Sequence, residues 1–238
     1  MKFTNSPTIP LKVGDTTLTL QQDNGSMHVG TSVWPCSLVL TKFIDRWSSS
    51  SSSSPNYSTI LDFRNKRAVE LGAGCGAVGM GVYLLGLHDV VLTDILPVMP
   101  ALKHNLKKNK SVLNKSLKIA QLYWGNHSQM KALSPPFDIV LAADVVYLVE
   151  TVRPLVETMR ELVKDDGVVM LGYQVRCPDA DVLFWETVRE FFEIEKVKKE
   201  DLHPEYAYEE TDVYIFRKKK VNNPIINEAT TSDKDGNA

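Results

Sequence analysis

Two spacings of apolar positions divide this chain. Over residues 11–22, Leu18 and Leu20 alternate with Thr17 and Thr19, and Gly14-Asp15 supplies a turn, so a β-hairpin is expected. Over residues 37–47, Leu40, Phe43, Ile44 and Trp47 recur three and four apart, which predicts a helix. From Arg67 onward, short apolar runs and helical patterns take turns. Strands are expected at 67–70, 90–94, 119–123, 137–142 and 168–172. Helices are expected at 77–85, 98–108, 149–163 and 180–191. Strands at 194–197 and 213–216 close the series with no helix between them, so they should form an antiparallel pair at one edge. The alternation predicts an α/β fold: a Rossmann-like seven-strand sheet, parallel through its middle, preceded by the hairpin.

The polar stretches set the limits of that domain. Residues 48–54 are an unbroken serine run followed by Pro55; it cannot bury apolar surface and reads as a flexible loop, 48–56, within one domain spanning 11–220. Residues 1–10 read as an N-terminal tail and 221–238 as a disordered polar tail.

Composition narrows the function classes. The chain has 238 residues, 43% apolar and 24% charged, enough for one well-buried domain. A net charge of −2 gives no bulk attraction to nucleic acid. Apolar runs such as residues 139–143 are far too short to span a membrane, and the first residues lack the apolar core of a secretion signal. Cys36, Cys75 and Cys177 have neither metal spacing nor an even count, which fits a reducing compartment. The expectation is a cytoplasmic protein, with nuclear access open, monomeric by default, with no metal, nucleic-acid or membrane partner.

The chemistry starts at Glu70-Leu71-Gly72-Ala73-Gly74-Cys75-Gly76, where an apolar run ends in an acid and alternating glycines lead into a helix. That is the arrangement that holds a nucleotide-like cofactor at a helix N-terminus. Asp94 closes the next strand, where an acid binds a ribose hydroxyl pair. With Ala77 the glycines also satisfy a permissive dinucleotide fingerprint. Three points favour S-adenosylmethionine over a nicotinamide dinucleotide: the strict alternation, the Glu70 carboxylate, which would repel a pyrophosphate, and the lack of Lys or Arg in the loop. Trp124-Gly125 follows the third strand of the alternating series and is placed to stack on adenine; Trp34 is placed to cover the cofactor from the other side.

The fourth of those strands ends Ala143-Asp144-Val145-Val146-Tyr147, so an acid and an aromatic hydroxyl leave the carboxyl end of a central strand. Valines stand where prolines would suggest a DNA amino-methylase. Tyr173-Gln174-Val175-Arg176 adds a polar cluster after the fifth, and Arg176 can orient a carboxylate, either a partner's or that of Asp144. The 217–220 basic run reads as a solvated strand end, and no histidine shows a partner spacing.

Together Glu70–Gly76, Val33-Trp34, Leu122-Tyr123-Trp124-Gly125 and Ala143–Tyr147 resemble the seven-strand protein lysine methyltransferases with a DxxY motif, methyltransferase family 16. The resemblance covers about residues 11–220. It departs from the family at Trp34-Pro35-Cys36-Ser37, where members commonly have Trp-Asp-Ala-Ala, and in the serine run. It implies a class I methyltransferase fold and cofactor contacts from Trp34, Gly72, Ala73, Gly74, Asp94, Trp124 and Ala143. It implies a substrate role for Asp144 and Tyr147, and a protein substrate: an AAA ATPase of the valosin-containing-protein type, or a chaperone. An unperturbed aspartate, with a pKa of about 3.9, is a weak base, so Asp144 is expected to hold the incoming ammonium while its proton leaves to water. Methylation of a small molecule or a histidine, and a non-catalytic binding module, are the competing expectations.

Overall fold

The computed structural model describes residues 4–48, 57–113 and 117–220. Residues 49–56 of the serine loop and the C-terminal tail lie outside the described residues, while Ser48, expected in that loop, is helical.

The period-two pattern makes β1 (Thr8–Val13) and β2 (Thr16–Gln21), paired antiparallel across the Gly14-Asp15 turn. The strand starts at Thr8, within the stretch expected as tail, because Ile9 pairs with Leu20 and buries there. Then α1 (Pro35–Ser48) follows, with Leu40, Phe43 and Ile44 buried as expected. The alternating region gives β3 (Arg67–Leu71), α2 (Ala77–Leu84), β4 (Asp89–Asp94), α3 (Met99–Lys108) and β5 (Lys118–Gln121). It continues through α4 (His127–Ala132), β6 (Phe137–Ala143), α5 (Val149–Leu162), β7 (Val163–Tyr173), α6 (Pro178–Phe191), β8 (Phe192–Lys196) and β9 (Asp212–Lys218).

The seven-strand sheet has the order β5-β4-β3-β6-β7-β9-β8. Pairs from β5 through β7 are parallel; β9 runs antiparallel to both β7 and β8, so the expected antiparallel pair is at the edge. Side chains alternate across the sheet. Ile139 and Leu141 of β6 face the layer containing α1, α2, α3 and the hairpin, while Val140 and Ala142 face the layer containing α4, α5 and α6. Nearly continuous apolar strands such as β6 are what a sheet covered on both faces requires.

Other elements also differ from the sequence reading. The strand expected at 119–123 ends at Gln121, leaving Tyr123 and Trp124 in a loop. A six-residue helix, α4, follows where none was expected. Val163, expected to end a helix, starts β7 opposite Phe137, with an irregularity in the register before Ile139.

The outer edge of β2 is paired by helix side chains. Asn105 of α3 accepts from the Gln21 N–H at 2.7 Å and donates to its carbonyl at 2.9 Å. Asn109 does the same for Thr19 at 2.8 and 3.0 Å. Two amides four residues apart, one in the last turns of α3 and one at its C-cap, thus stand in for a third strand and cover an otherwise open edge. Gln22, buried next to them, accepts from Val33 N–H at 2.8 Å and ties down the segment that leads into α1.

Candidate functional site

Strand order reverses between β3 and β6, and a crevice opens at the carboxyl ends of the strands there. It holds a cavity of about 640 Å3, within the range of small-molecule and cofactor sites.

The floor is the glycine loop. β3 ends at Leu71, and Gly72, Gly74 and Gly76 all take positive φ, at 64°, 54° and 81°. Backbone passes directly over Gly74: a Cβ there would stand 2.8 Å from the Gly30 carbonyl oxygen. Ala73 N–H donates to the Thr93 carbonyl at 2.9 Å, anchoring the loop to β4. Asp94, at the end of β4, accepts from Gly74 N–H at 2.7 Å through one oxygen and from Ile95 N–H at 2.7 Å through the other. Burial raises its pKa against the pull of those two donors. Each oxygen keeps a second lone pair for a ligand hydroxyl.

The loop pattern also makes Glu70 an expected cofactor-binding residue. It borders the cavity, but the side chain is only 2% exposed and its Oε2 accepts from Gly79 N–H at 2.9 Å, in the first turn of α2. Burial outweighs that hydrogen bond and pushes its carboxyl up to about 8. Its charge is therefore largely suppressed at neutral pH, and its clear task is capping α2.

Trp124 stands opposite the glycine loop: a Cβ on Gly72 would lie 3.3 Å from its Cζ2. Trp34 also lines the cavity, held by its indole N–H donating to the Val29 carbonyl at 2.9 Å. The Arg176 guanidinium lies 5.0 Å from the Trp34 ring centroid, which puts Trp34 beside Asp144.

Ala143 ends β6 in the cavity wall. Asp144 follows with φ of 60°, uncommon for a residue with a side chain. Its N–H donates to the Gly172 carbonyl at 3.0 Å, and its carboxylate takes a bidentate pair from Arg176 at 2.7 and 2.5 Å. The two side chains are 4% and 13% exposed. Of the two carboxylates left open for Arg176 by sequence, the structure supplies Asp144. The buried Cys36 thiol of α1 belongs to the same cluster: burial first, and Asp144 next, push it well above the usual thiol range. Tyr147 is half-buried in the cavity wall; burial, then the charges of Asp94 and Asp144, raise its phenol.

With Glu70 largely neutral and Asp144 paired to Arg176, the lining takes its charge from Asp94 and Glu150, and it contains no lysine or arginine among the described residues. Such a cavity suits a cationic ligand and disfavours a pyrophosphate. The donors and acceptors therefore fit S-adenosylmethionine, with its sulfonium and amino groups, better than a dinucleotide. One grouping lies elsewhere. His127 of α4 sits within reach of Glu157 and Glu161 of α5, their ligand-type atoms within 4.8 Å of one another. Sequence spacing hid it, since the partners lie 30 or more residues away on a neighbouring helix.

Sheet order, glycine loop and carboxylate-lined crevice define a class I methyltransferase scaffold. The fold is shared with a 16S rRNA N2 G1207 methyltransferase of T. thermophilus, solved with AdoMet and guanosine, at a TM-score of 0.58 and 18% identity, covering 89% of this chain and 50% of that one. The chain belongs to the lysine methyltransferase family, which it matches over residues 12–191. It is an S-adenosylmethionine-dependent methyltransferase. Relatives include protein N-lysine methyltransferase METTL21A of Danio rerio, 29% identical over 84% of this chain and 82% of that one. Another is EEF1A lysine methyltransferase 3 of Xenopus tropicalis, 30% identical over 75% of this chain and 73% of that one.

Proposed function

We propose that the chain is a protein-lysine N-methyltransferase in which Asp144 and Tyr147 receive the acceptor amine. The observation that carries the reading is the form of the cavity mouth. Met27, Val29, Tyr123 and Leu148 line the cavity and are 95, 50, 41 and 42% exposed. Apolar side chains left in water around an acidic slot favour a macromolecular acceptor over a small polar one. Family membership and the names of the relatives support lysine as the residue.

When bound, S-adenosylmethionine supplies an electrophilic methyl group on sulfur. Asp94 would hold the ribose hydroxyls and Trp124 the adenine, with Gly72, Ala73, Gly74 and Ala143 forming the wall against the cofactor and Trp34 flanking it. The remaining work is alignment of the amine for in-line displacement, which can supply a large share of the acceleration. Asp144 orients the nitrogen, the proton leaves to water, and the Tyr147 ring faces the positive charge that develops on nitrogen as the methyl is transferred. The substrate proposed is an AAA ATPase of the valosin-containing-protein type or a chaperone, met in the cytoplasm or nucleus by a monomeric enzyme.

The test is transfer of radiolabelled methyl from S-adenosylmethionine in cell extract, separated on a denaturing gel, with Asp144→Ala as control. A labelled band lost in the variant, with methyl-lysine on hydrolysis, supports the reading. Cofactor binding with no labelled protein would refute it in favour of a small-molecule acceptor or a binding role.

A further inference from the structure

Asp144 poses a chemical problem for the acceptor it receives. A methyl acceptor must offer a nitrogen lone pair, yet a carboxylate in a poorly solvated slot favours the protonated, unreactive ammonium. In this protein the carboxylate is not alone. Both its oxygens are bound by Arg176, and the pair is nearly withdrawn from solvent. Arg176 is fixed on its other side by the Trp34 ring, itself held by Val29. The guanidinium keeps its charge at any accessible pH.

We infer that Arg176 is a positioning residue for the acceptor: it cancels the charge of Asp144 while leaving its oxygens as hydrogen-bond acceptors, so the slot takes a lysine as the neutral amine. The inference rests on the protein-lysine reading above. A carboxylate oxygen carries two lone pairs, so one can accept from the amine while the other holds the guanidinium. No proton moves to Arg176; the ammonium proton leaves to water, and the freed lone pair forms the bond to the methyl carbon as the carbon–sulfur bond breaks.

Other charges around the slot do not supply the same effect. Asp94 at the end of β4, Glu150 at the start of α5 and Glu210 before β9 are acidic and would favour the ammonium. Cys36 of α1 and Tyr147 have raised pKa values and remain neutral. His28 is the other basic side chain among the cavity's described neighbours. Arg176 is therefore the fixed positive charge of the protein at this end of the crevice.

Two variants separate charge from geometry. Arg176→Gln keeps an amide donor to Asp144 and removes the charge; Arg176→Lys keeps the charge and removes the fork. The readout is kcat against pH, which reports the amine in the enzyme–substrate complex, with cofactor affinity by calorimetry to verify the fold. For Arg176→Gln, the pH of half-maximal kcat should rise by about two units, the effect of losing one charge about 6 Å from the amine, across the carboxylate, at an effective dielectric of about 20. At about pH 7.5 its kcat should fall by tenfold or more and recover as pH rises, while KM for the acceptor protein does not increase. Arg176→Lys should keep the wild-type midpoint at a lower plateau. Equal losses at every pH in both variants would overturn the inference and leave the methyltransferase reading intact. Wild-type enzyme that modifies no protein lysine would overturn both.

Discussion

The Asp94 carboxylate accepts the Gly74 N–H at 2.7 Å. This single bond ties the end of β4 to the centre of the glycine loop, so the acid placed for the ribose also shapes the loop beneath the cofactor. Asp94→Ala removes both functions and leaves a buried N–H without a partner, a penalty of about 1–3 kcal/mol before any lost ligand contact. Calorimetric titration with S-adenosylmethionine should show affinity reduced by about tenfold to a few hundredfold. Affinity within about twofold of wild type would remove Asp94 from the cofactor site.

Glu70 makes stability depend on pH in an unusual direction for a carboxylate. Its folded pKa is raised by burial to about 8, above the ordinary glutamate value. The folded state therefore holds a proton that the unfolded chain has released. Sign follows from linkage: the stabilisation is fully present below the unfolded pKa and is lost as pH rises toward about 8. Glu70→Gln keeps an acceptor for the Gly79 N–H and cannot ionise. Urea unfolding at about pH 5.5 and about pH 8.5 should show the wild type losing up to a few kcal/mol more than the variant. Parallel pH profiles would show that Glu70 is not buried as a neutral acid.

Much of this site was readable because its residues sit at the ends of strands marked by strong apolar runs. Asp94 and Asp144 each follow such a run, and the Gly72–Gly76 spacing leaves few alternatives to a tight turn before a helix. What escaped depends on contacts between distant segments. The sequence leaves Arg176 open to a partner's carboxylate or to Asp144, 32 residues away, and the choice falls to Asp144 because β6 pairs with β7 in a register that sets Ala143 beside Gly172. Asn105 and Asn109 carry no signal in the sequence, and only the packed structure shows them completing the edge of β2. The short α4 buries just Met130, too little to leave a periodic signal. Glu70 was located correctly along the chain, yet its side chain turns onto α2, a choice made by Gly79, where any Cβ would lie 2.5 Å from Oε2.

Gly74 and Gly14 test how the loop is used. Both take left-handed φ, at 54° and 53°, so an alanine costs about 1–2 kcal/mol at either. Their surroundings differ: a Cβ at 74 meets the Gly30 carbonyl oxygen at 2.8 Å, while one at 14 meets nothing within 4 Å. Gly14→Ala should lower Tm by about 2–8 °C and leave cofactor affinity unchanged. Gly74→Ala should lower Tm further and weaken S-adenosylmethionine binding at least about tenfold, because the Gly30 segment must move away. Equal behaviour of the two proteins would mean that the close approach of Gly30 does not matter for the cofactor.

Tyr147 offers both a ring and a hydroxyl to the acceptor slot, and the two can be told apart. The phenol is held neutral by burial first and then by the charges of Asp94 and Asp144, so it does not act as a base near neutral pH. If the ring is the working part, Tyr147→Phe keeps it and should lose no more than about threefold in kcat/KM for the acceptor protein. Tyr147→Ala removes it and should lose about 5- to 30-fold, the equivalent of a desolvated cation–π contact of about 1–2 kcal/mol. Cofactor affinity should change little in either, which separates an acceptor role from a collapse of the cavity wall. Should Tyr147→Phe fall as far as Tyr147→Ala, the hydroxyl carries the function, and the amine is oriented by a hydrogen bond from Tyr147 as well as by Asp144.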